Sequence, residues 1–314
     1  MISAFAPATV SNVAAGFDVL GFALDEPGDV VGAELRDEPG VAIVDIRGDG
    51  GRLTRDAAKN TAGSAVQALL ALVGTSRGIA LTIHKGLPLA SGVGSSGASA
   101  VAAVVAVNEL LGRPASLDLV FRAAMAGERA GCGVAHPDNV APALFGGFVL
   151  ARSADPPDIV RLPVPAGLSC AVLHPHLEVQ TGTARALLGD TLSLQTAVRQ
   201  WANLGALVSA LHTGDLALLS RSLVDHVAEP KRAVLVPGFD QVKAAALAAG
   251  ALGCSLSGSG PSVFALARSL DEARAVGAAM AEAYQAAGGG VEADLWVSAV
   301  GTTGARVLTT GGSH

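Results

Sequence analysis

The sequence predicts an α+β chain of two domains. Strand-like and helix-like segments follow one another without strict β–α–β alternation, which favours segregated layers over a doubly wound parallel sheet. The 314 residues suit two domains of ordinary size, each with its own core. The segment SADPPDIVRLPVP at 153–165 carries four prolines and reads as the boundary, because proline excludes regular pairing. The ranges that follow are 1–152 and 153–310, with a frayed glycine-rich tail at 311–314.

The elements follow from local pattern. Residues 29–36 (DVVGAELR) and 41–47 (VAIVDIR) read as strands, with a turn at Pro39-Gly40 between them. Residues 60–73 read as a helix and IALTIH at 79–84 as a strand. A glycine-serine loop then runs into a helix ending near 111, and another helix spans roughly 116–130. ALFGGFVLA at 143–151 suggests a strand with a central glycine pair. Beyond the boundary come a strand near 168–174 and helices near 194–212, 214–227 and 237–250, the last capped by Gly250. CSLSGSGPSVFALA reads as strand–turn–strand around 257–261, then a helix begins near Asp271 and ADLWVSAV forms a final strand.

Composition excludes several classes. Half the residues are apolar but only 4% are aromatic, so the core must be built from Ala, Val and Leu. A net charge of −6 with no basic run argues against nucleic-acid binding, which needs clustered Lys and Arg. Cys132, Cys170 and Cys254 are odd in number and far apart, so they read as buried thiols of a reducing compartment, not a disulfide frame or zinc site. The start MISAFAPATVSN has no basic n-region, and the longest helical candidate, 98–111, is too short to span a bilayer. A cytoplasmic protein is expected.

PLASGVGSSGASA at 88–100 is the most informative stretch. Glycines let backbone N–H groups approach a ligand, first-turn N–H groups lack helical partners, and the helix dipole adds positive charge. Such a loop binds phosphate. Gly92, Gly94 and Gly97 also fit the dinucleotide spacing G-x-G-x-x-G, but Lys85-Gly86-Leu87-Pro88 separates them from the strand. The acid at the right distance, Asp118, starts a helix instead of ending a strand. A Walker loop needs Lys where Ala98 stands, and no HRD or DFG element follows.

Three stretches in order, PATVSNVAAGFDVLG at 7–21, PLASGVGSSGASA at 88–100 and GALGCSLSGSGPSVFAL at 250–266, resemble the GHMP kinase superfamily. GERAGCGVAHPDNVAPALFGGF at 127–148, TGTAR at 181–185 and PKRAVLVPGF at 230–239 are similar to its branch acting on the amino acid L-homoserine. The resemblance covers nearly the whole chain. It implies an N-terminal domain like domain 2 of ribosomal protein S5 and a C-terminal ferredoxin-like α/β sandwich. It implies ATP held by the loop Pro88, Leu89, Ala90, Ser91, Gly92, Val93, Gly94, Ser95, Ser96, Gly97, Ala98, with N–H groups of Gly94, Ser95 and Ser96 as donors. Ser96 and Glu128 would ligate Mg²⁺, which favours hard oxygens. Asn60 would reach the nucleotide base.

The resemblance places Arg185 and Arg232 on the substrate carboxylate, a bidentate task suited to guanidinium. Asp18 and Asn12 would meet the amino end and hydroxyl, and His136, Asn139 and Thr181 would complete the pocket. Asn139, with Arg185, Ser96 and Glu128, is the implied catalytic set. Asparagine cannot accept a proton as a base, so the hydroxyl proton would pass to the phosphate; the neighbouring Asp138 stands as the alternative base. A homodimer is the family's expectation. Departures are Gly97 in place of Ala, Lys231 in place of an aromatic, and Ala14-Ala15 in place of a Gly/Val pair. A GHMP kinase for mevalonate, a sugar or a diphosphocytidyl alcohol, and a non-catalytic nucleotide-binding regulator, are the competing functions.

Overall fold

A computed structural model describes residues 1–308. The expected frayed tail, and the last two residues of the range ending at 310, lie outside the described residues. The chain opens with β1 (Ile2–Ser11), β2 (Leu20–Arg36), β3 (Val41–Arg47), α1 (Thr61–Leu72), β4 (Gly78–His84), α2 (Ser95–Leu110), α3 (Leu117–Cys132) and α4 (Pro137–Phe145). It continues through β5 (Phe148–Ala154), β6 (Pro157–Leu162), β7 (Ser169–Pro175), α5 (Thr181–Ala186), α6 (Leu194–Thr213), α7 (Leu216–Ser222) and the one-turn α8 (Glu229–Arg232). It closes with α9 (Phe239–Ala248), β8 (Gly253–Leu256), β9 (Val263–Ala267), α10 (Leu270–Ala287), β10 (Ala293–Ala299) and β11 (Arg306–Leu308).

The first sheet has seven strands in the order β11-β1-β2-β4-β3, with β5 on the first residues of β2 and β6 on β5. The second has four, β10-β7-β9-β8, all antiparallel. Helices α9 and α10 cover the second sheet. On the first, α2 lies against β1 and β2, with α1 and α3 on its far side. That position explains its composition: α2 is buried on nearly every face, and a helix enclosed all round has no polar stripe. Its Ala and Val side chains let sheet and helices approach closely. Each fully buried Val or Leu contributes about 1.5–3 kcal/mol.

The core unites both sheets. Phe22 of β2 stands 4.9 Å from Phe148 and 6.1 Å, edge-on, from Phe264 of β9. This packing brings the loop after β1, the loop before α2 and the loop between β8 and β9 to one place. Cys170 and Cys254 are buried free thiols, and burial pushes both well above their ordinary range. The side chain of Cys132 lies outside the described set.

Several elements differ from expectation. Residues 143–151 are not one strand. Pro137 starts α4 at a position where its missing N–H is harmless, and Gly146 (φ 72°) and Gly147 (φ 66°) end it before β5. The proline-rich 153–165 does pair: β6 forms a hairpin with β5, tolerated because Pro157 is the first residue of the strand and Pro163 and Pro165 follow its end. The strand at 41–47 pairs in parallel with β4, not with β2. The helix expected at 214–227 stops at Ser222. β1 and the first half of β2 were hidden by Pro7 and Pro27, which both sit where the ladder shifts register between Pro7 and Thr9.

Candidate active site

The three loops enclose a cleft of about 530 Å³. At one end lies the N-terminus of α2. Gly94 caps it at φ 68°, and a Cβ there would sit 2.1 Å from the Thr9 hydroxyl, so only glycine fits. Gly92, at φ 81°, is equally constrained: a Cβ would meet the carbonyls of Ser257 and Gly260 at 2.6 and 2.7 Å. Gly97 has room, its nearest neighbour being 3.5 Å away.

The loop is held from behind. Ser262 Oγ donates to the Ser91 carbonyl at 2.6 Å, Ser257 Oγ to the Gly92 carbonyl at 2.7 Å, and the Thr9 N–H to the Val93 carbonyl at 3.1 Å. In a planar trans peptide the carbonyl and the next N–H point opposite ways. Three pinned carbonyls therefore turn the N–H groups of Gly92, Val93 and Gly94 away from this scaffold. The first-turn N–H groups of Ser95, Ser96 and Gly97 add to the set. Ser262 spends its proton on Ser91, so His174 Nδ1, 3.1 Å away, must be the donor in their contact. Burial holds this imidazole down at about 4, hence neutral.

Below the loop, Lys85 and Asp29 form a fully buried ion pair. Asp29 also accepts from Ser99 Oγ at 2.6 Å and from two backbone N–H groups, and Lys85 donates to the Ser95 carbonyl and Ser99 Oγ, each at 2.9 Å. Such full satisfaction is what a buried pair requires.

Beside the loop, Ser96 Oγ donates to Glu128 Oε1 at 2.9 Å. Glu128 sits on α3 and is 3% exposed, and its Oε2 is buried without a partner. His136 Nδ1 approaches Oε1 at 3.4 Å, and this hydrogen bond raises the His136 pKa above its ordinary value. Two hard oxygens 2.9 Å apart match adjacent vertices of an octahedron with ligands at about 2.1 Å. The unpartnered Oε2 of Glu128 leaves a further hard oxygen free for a metal ion.

The other end is built from side chains on a strained loop. Asn12 (φ 67°), Val13 (φ 43°), Ala14 (φ 56°) and Asp18 (φ 60°) all occupy the left-handed region. That conformation is costly for residues with a Cβ, most of all for β-branched Val13. Asn12 braces the loop, accepting the Asp18 N–H at 3.0 Å and donating to the Gly258 carbonyl at 2.9 Å. Gln200 donates to the Ala14 and Ala15 carbonyls. Arg185 of α5 pairs bidentately with Asp18, at 2.6 and 3.0 Å, at a partly exposed position. Arg232 of α8 is buried, donating to the carbonyls of Ala184 and Gly258. Asp225 fixes α8 by accepting three backbone N–H groups, those of Val227, Ala228 and Glu229.

Between the two ends stands α4. Asn139 Oδ1 accepts from Thr9 Oγ at 2.8 Å, which commits its oxygen and leaves its amide hydrogens as donors. Asp138 is 2% exposed, with Oδ1 unpartnered. Burial, aided by Asp18, pushes its carboxyl up to about 7.

The cleft thus gathers Asn12, Asp18, Asn60, Leu89, Ala90, Ser91, Gly92, Gly94, Ser95, Ser96, Glu128, His136, Asn139, Thr181, Arg185 and Arg232. Pro88, Val93, Gly97 and Ala98 lie off its lining; Val93 and Ala98 point into the core. Asn60 spends its side chain on structure: Oδ1 caps α1 through the N–H of Ala62 and Gly63, and Nδ2 donates to the Thr54 carbonyl. Sequence reasoning missed Thr9, Ser257, Ser262 and His174 as supports. It also missed Arg52, which pairs bidentately with Glu178 across the cleft mouth. The SGSGP run was visible, but nothing local says which carbonyls its hydroxyls hold.

Comparison with known proteins gives a consistent outcome. The family model for the GHMP kinases N terminal domain matches residues 60–147, and that for GHMP kinases C terminal matches 207–286. The chain is 50% identical to a homoserine kinase of Chlorobium phaeobacteroides (strain BS1), over 98% of this chain and 99% of that one. It is 49% identical to a homoserine kinase of Chlorobaculum tepidum, over 98% of each. A crystal structure of a homoserine kinase from Cytophaga hutchinsonii superposes with a TM-score of 0.94 at 52% identity, covering 98% of this chain and 97% of that one.

Proposed function

Since the chain belongs to the GHMP kinases, and among them to the homoserine kinases, we propose a division of labour within its cleft. The enzyme transfers the γ-phosphoryl group of ATP to the side-chain hydroxyl of L-homoserine, giving O-phospho-L-homoserine and ADP, a step of threonine biosynthesis. Our reading assigns the triphosphate to the loop 88–98 and the amino acid to Arg185, Arg232, Asp18 and Asn12, with His136 and Thr181 at the pocket wall. The observation that carries it is the meeting, in one cleft, of a helix N-terminus with a buried guanidinium and an Arg–Asp pair. The first suits phosphate. The second and third suit a zwitterion, whose carboxylate takes the arginines and whose ammonium takes Asp18.

Magnesium, when held by Ser96 and Glu128, would neutralise charge on the phosphate oxygens. The protein supplies position and charge. Backbone N–H groups orient the triphosphate, and the arginines fix the amino acid so that its hydroxyl meets the phosphorus in line. Asn139, its oxygen held by Thr9, offers N–H donors to the reacting oxygens and no acceptor for a proton. The hydroxyl proton then passes to an oxygen of the transferred phosphoryl group as the new O–P bond forms and the bond to ADP breaks, consistent with a loose transition state. A second reading rests on Asp138, whose buried carboxyl near 7 and free Oδ1 suit a general base. Asp138→Asn decides: a loss under tenfold in kcat supports the base-free path, and a loss of several thousandfold with intact binding supports Asp138.

Assays over a panel of alcohols test the assignment: L-homoserine is phosphorylated, and turnover of mevalonate or a sugar in its place contradicts it. We propose further that the first sheet, with β6 and β11 added by pairing, carries the nucleotide, so the two-domain division follows the sheets more closely than residue 152. No helix of the described residues is long and apolar enough to cross a membrane. We place the enzyme in the cytoplasm, where buried thiols stay reduced, as a homodimer.

A further inference from the structure

One aromatic ring serves both arginines of the cleft. Arg185 Cζ lies 5.3 Å and Arg232 Cζ 5.4 Å from the ring centroid of Phe17. Both are within the roughly 6 Å reach of a cation–π contact. The three residues come from separate elements: Phe17 from the β1–β2 loop, Arg185 from α5 and Arg232 from α8. Phe17 is half-buried, next to left-handed Asp18 in the strained turn.

The two cations are compensated unequally. Arg185 has Asp18. Arg232 is 3% exposed and, among the described residues, has carbonyl acceptors but no carboxylate partner. Burial, then the charge of Arg185, lowers its pKa from the ordinary arginine value, and the charges of Asp18, Asp225 and Asp138 offset this only in part. A carboxylate at position 17 would relieve this. It would also cancel the positive charge and repel an incoming carboxylate. The negative face of an aromatic ring stabilises a cation without neutralising it.

We propose that Phe17 is a positioning residue that keeps Arg185 and Arg232 charged and jointly available to the carboxylate of the amino-acid substrate, and so sets affinity for that substrate and not for nucleotide. The inference rests on the reading that these arginines take the carboxylate.

The test replaces Phe17 by mono-, di- and trifluorophenylalanine, which keep the ring's shape and progressively weaken its negative face. The KM for L-homoserine is expected to rise stepwise, by about tenfold across the series. kcat and the KM for ATP should stay within about twofold. Phe17→Tyr should retain affinity and Phe17→Leu should lose it. A homoserine KM that stays flat along the fluorinated series overturns the proposal, and this arm holds even where Phe17→Leu fails to fold. Arg232→Leu separates the two claims. If it raises the homoserine KM while the fluorinated series is flat, only the role of Phe17 fails. If it leaves the KM unchanged, the carboxylate assignment fails and the proposal with it.

Discussion

On the proposed assignment, the phosphate end of the cleft is made of backbone, and the amino-acid end of side chains. At the first, the chain's contribution is where N–H groups point, and hydroxyls of Ser257 and Ser262 fix that from behind. At the second, it is charge held at defined depth, with Arg232 buried and Arg185 at the rim. A backbone site tolerates side-chain change except where a Cβ cannot fit. A charge site responds to every change of charge and to pH. Perturbations should therefore act all-or-none at one end and in graded fashion at the other.

The largest effect is expected at Gly94. Gly94→Ala puts a Cβ 2.1 Å from Thr9 Oγ at a left-handed φ, so kcat/KM should fall at least a hundredfold, about 3 kcal/mol or more, with ATP affinity lost. Equal nucleotide binding by titration calorimetry in variant and wild type would contradict the backbone account. Next comes Arg232→Leu, which removes a buried charge-assisted contact worth about 2–5 kcal/mol. The homoserine KM should rise about a hundredfold with ATP affinity kept. Arg185→Leu should cost about tenfold, since that arginine is partly exposed and already paired.

Acidity sharpens the contrast further. The Asp138 carboxyl is raised from 3.8 to about 7 in the folded protein. A raised pKa means the native state holds its proton more tightly than the unfolded chain. The stabilisation is complete below the unfolded value and is lost as pH rises through about 7. His136, raised by its bond to Glu128, acts in the same direction above its ordinary value. Urea midpoints should show Asp138→Asn gaining on the wild type between pH 4 and 7, with the difference level above that; a difference constant with pH would contradict the burial of Asp138. The smallest effect is at Gly97, where a methyl has room: Gly97→Ala should raise stability by about 0.5–1 kcal/mol, seen as a higher Tm, with ATP affinity unchanged.

The same contrast explains what the sequence made legible. The shape of the glycine-serine loop was readable because its requirements are local: glycine where φ is positive, and a helix directly after. Its supports were not, because Thr9, Ser257 and Ser262 reach it from far along the chain. Asn60 shows the same limit, being first a helix cap, which sequence position alone does not separate from a ligand contact. In the fold, long periodic helices and the 79–84 strand were clear. α4 was hidden because FGGF reads as strand until the positive φ of Gly146 is known to end a helix. β6 was hidden because proline density outweighed the one position where proline is harmless.

The carboxylate contact is tested most directly by comparing kcat/KM for L-homoserine with that for 3-amino-1-propanol, the same molecule without its carboxylate, in wild type and in Arg232→Leu. The account predicts strong preference for L-homoserine in the wild type and collapse of that ratio by about a hundredfold in the variant. A ratio that survives the loss of Arg232 would show that the amino acid is held elsewhere.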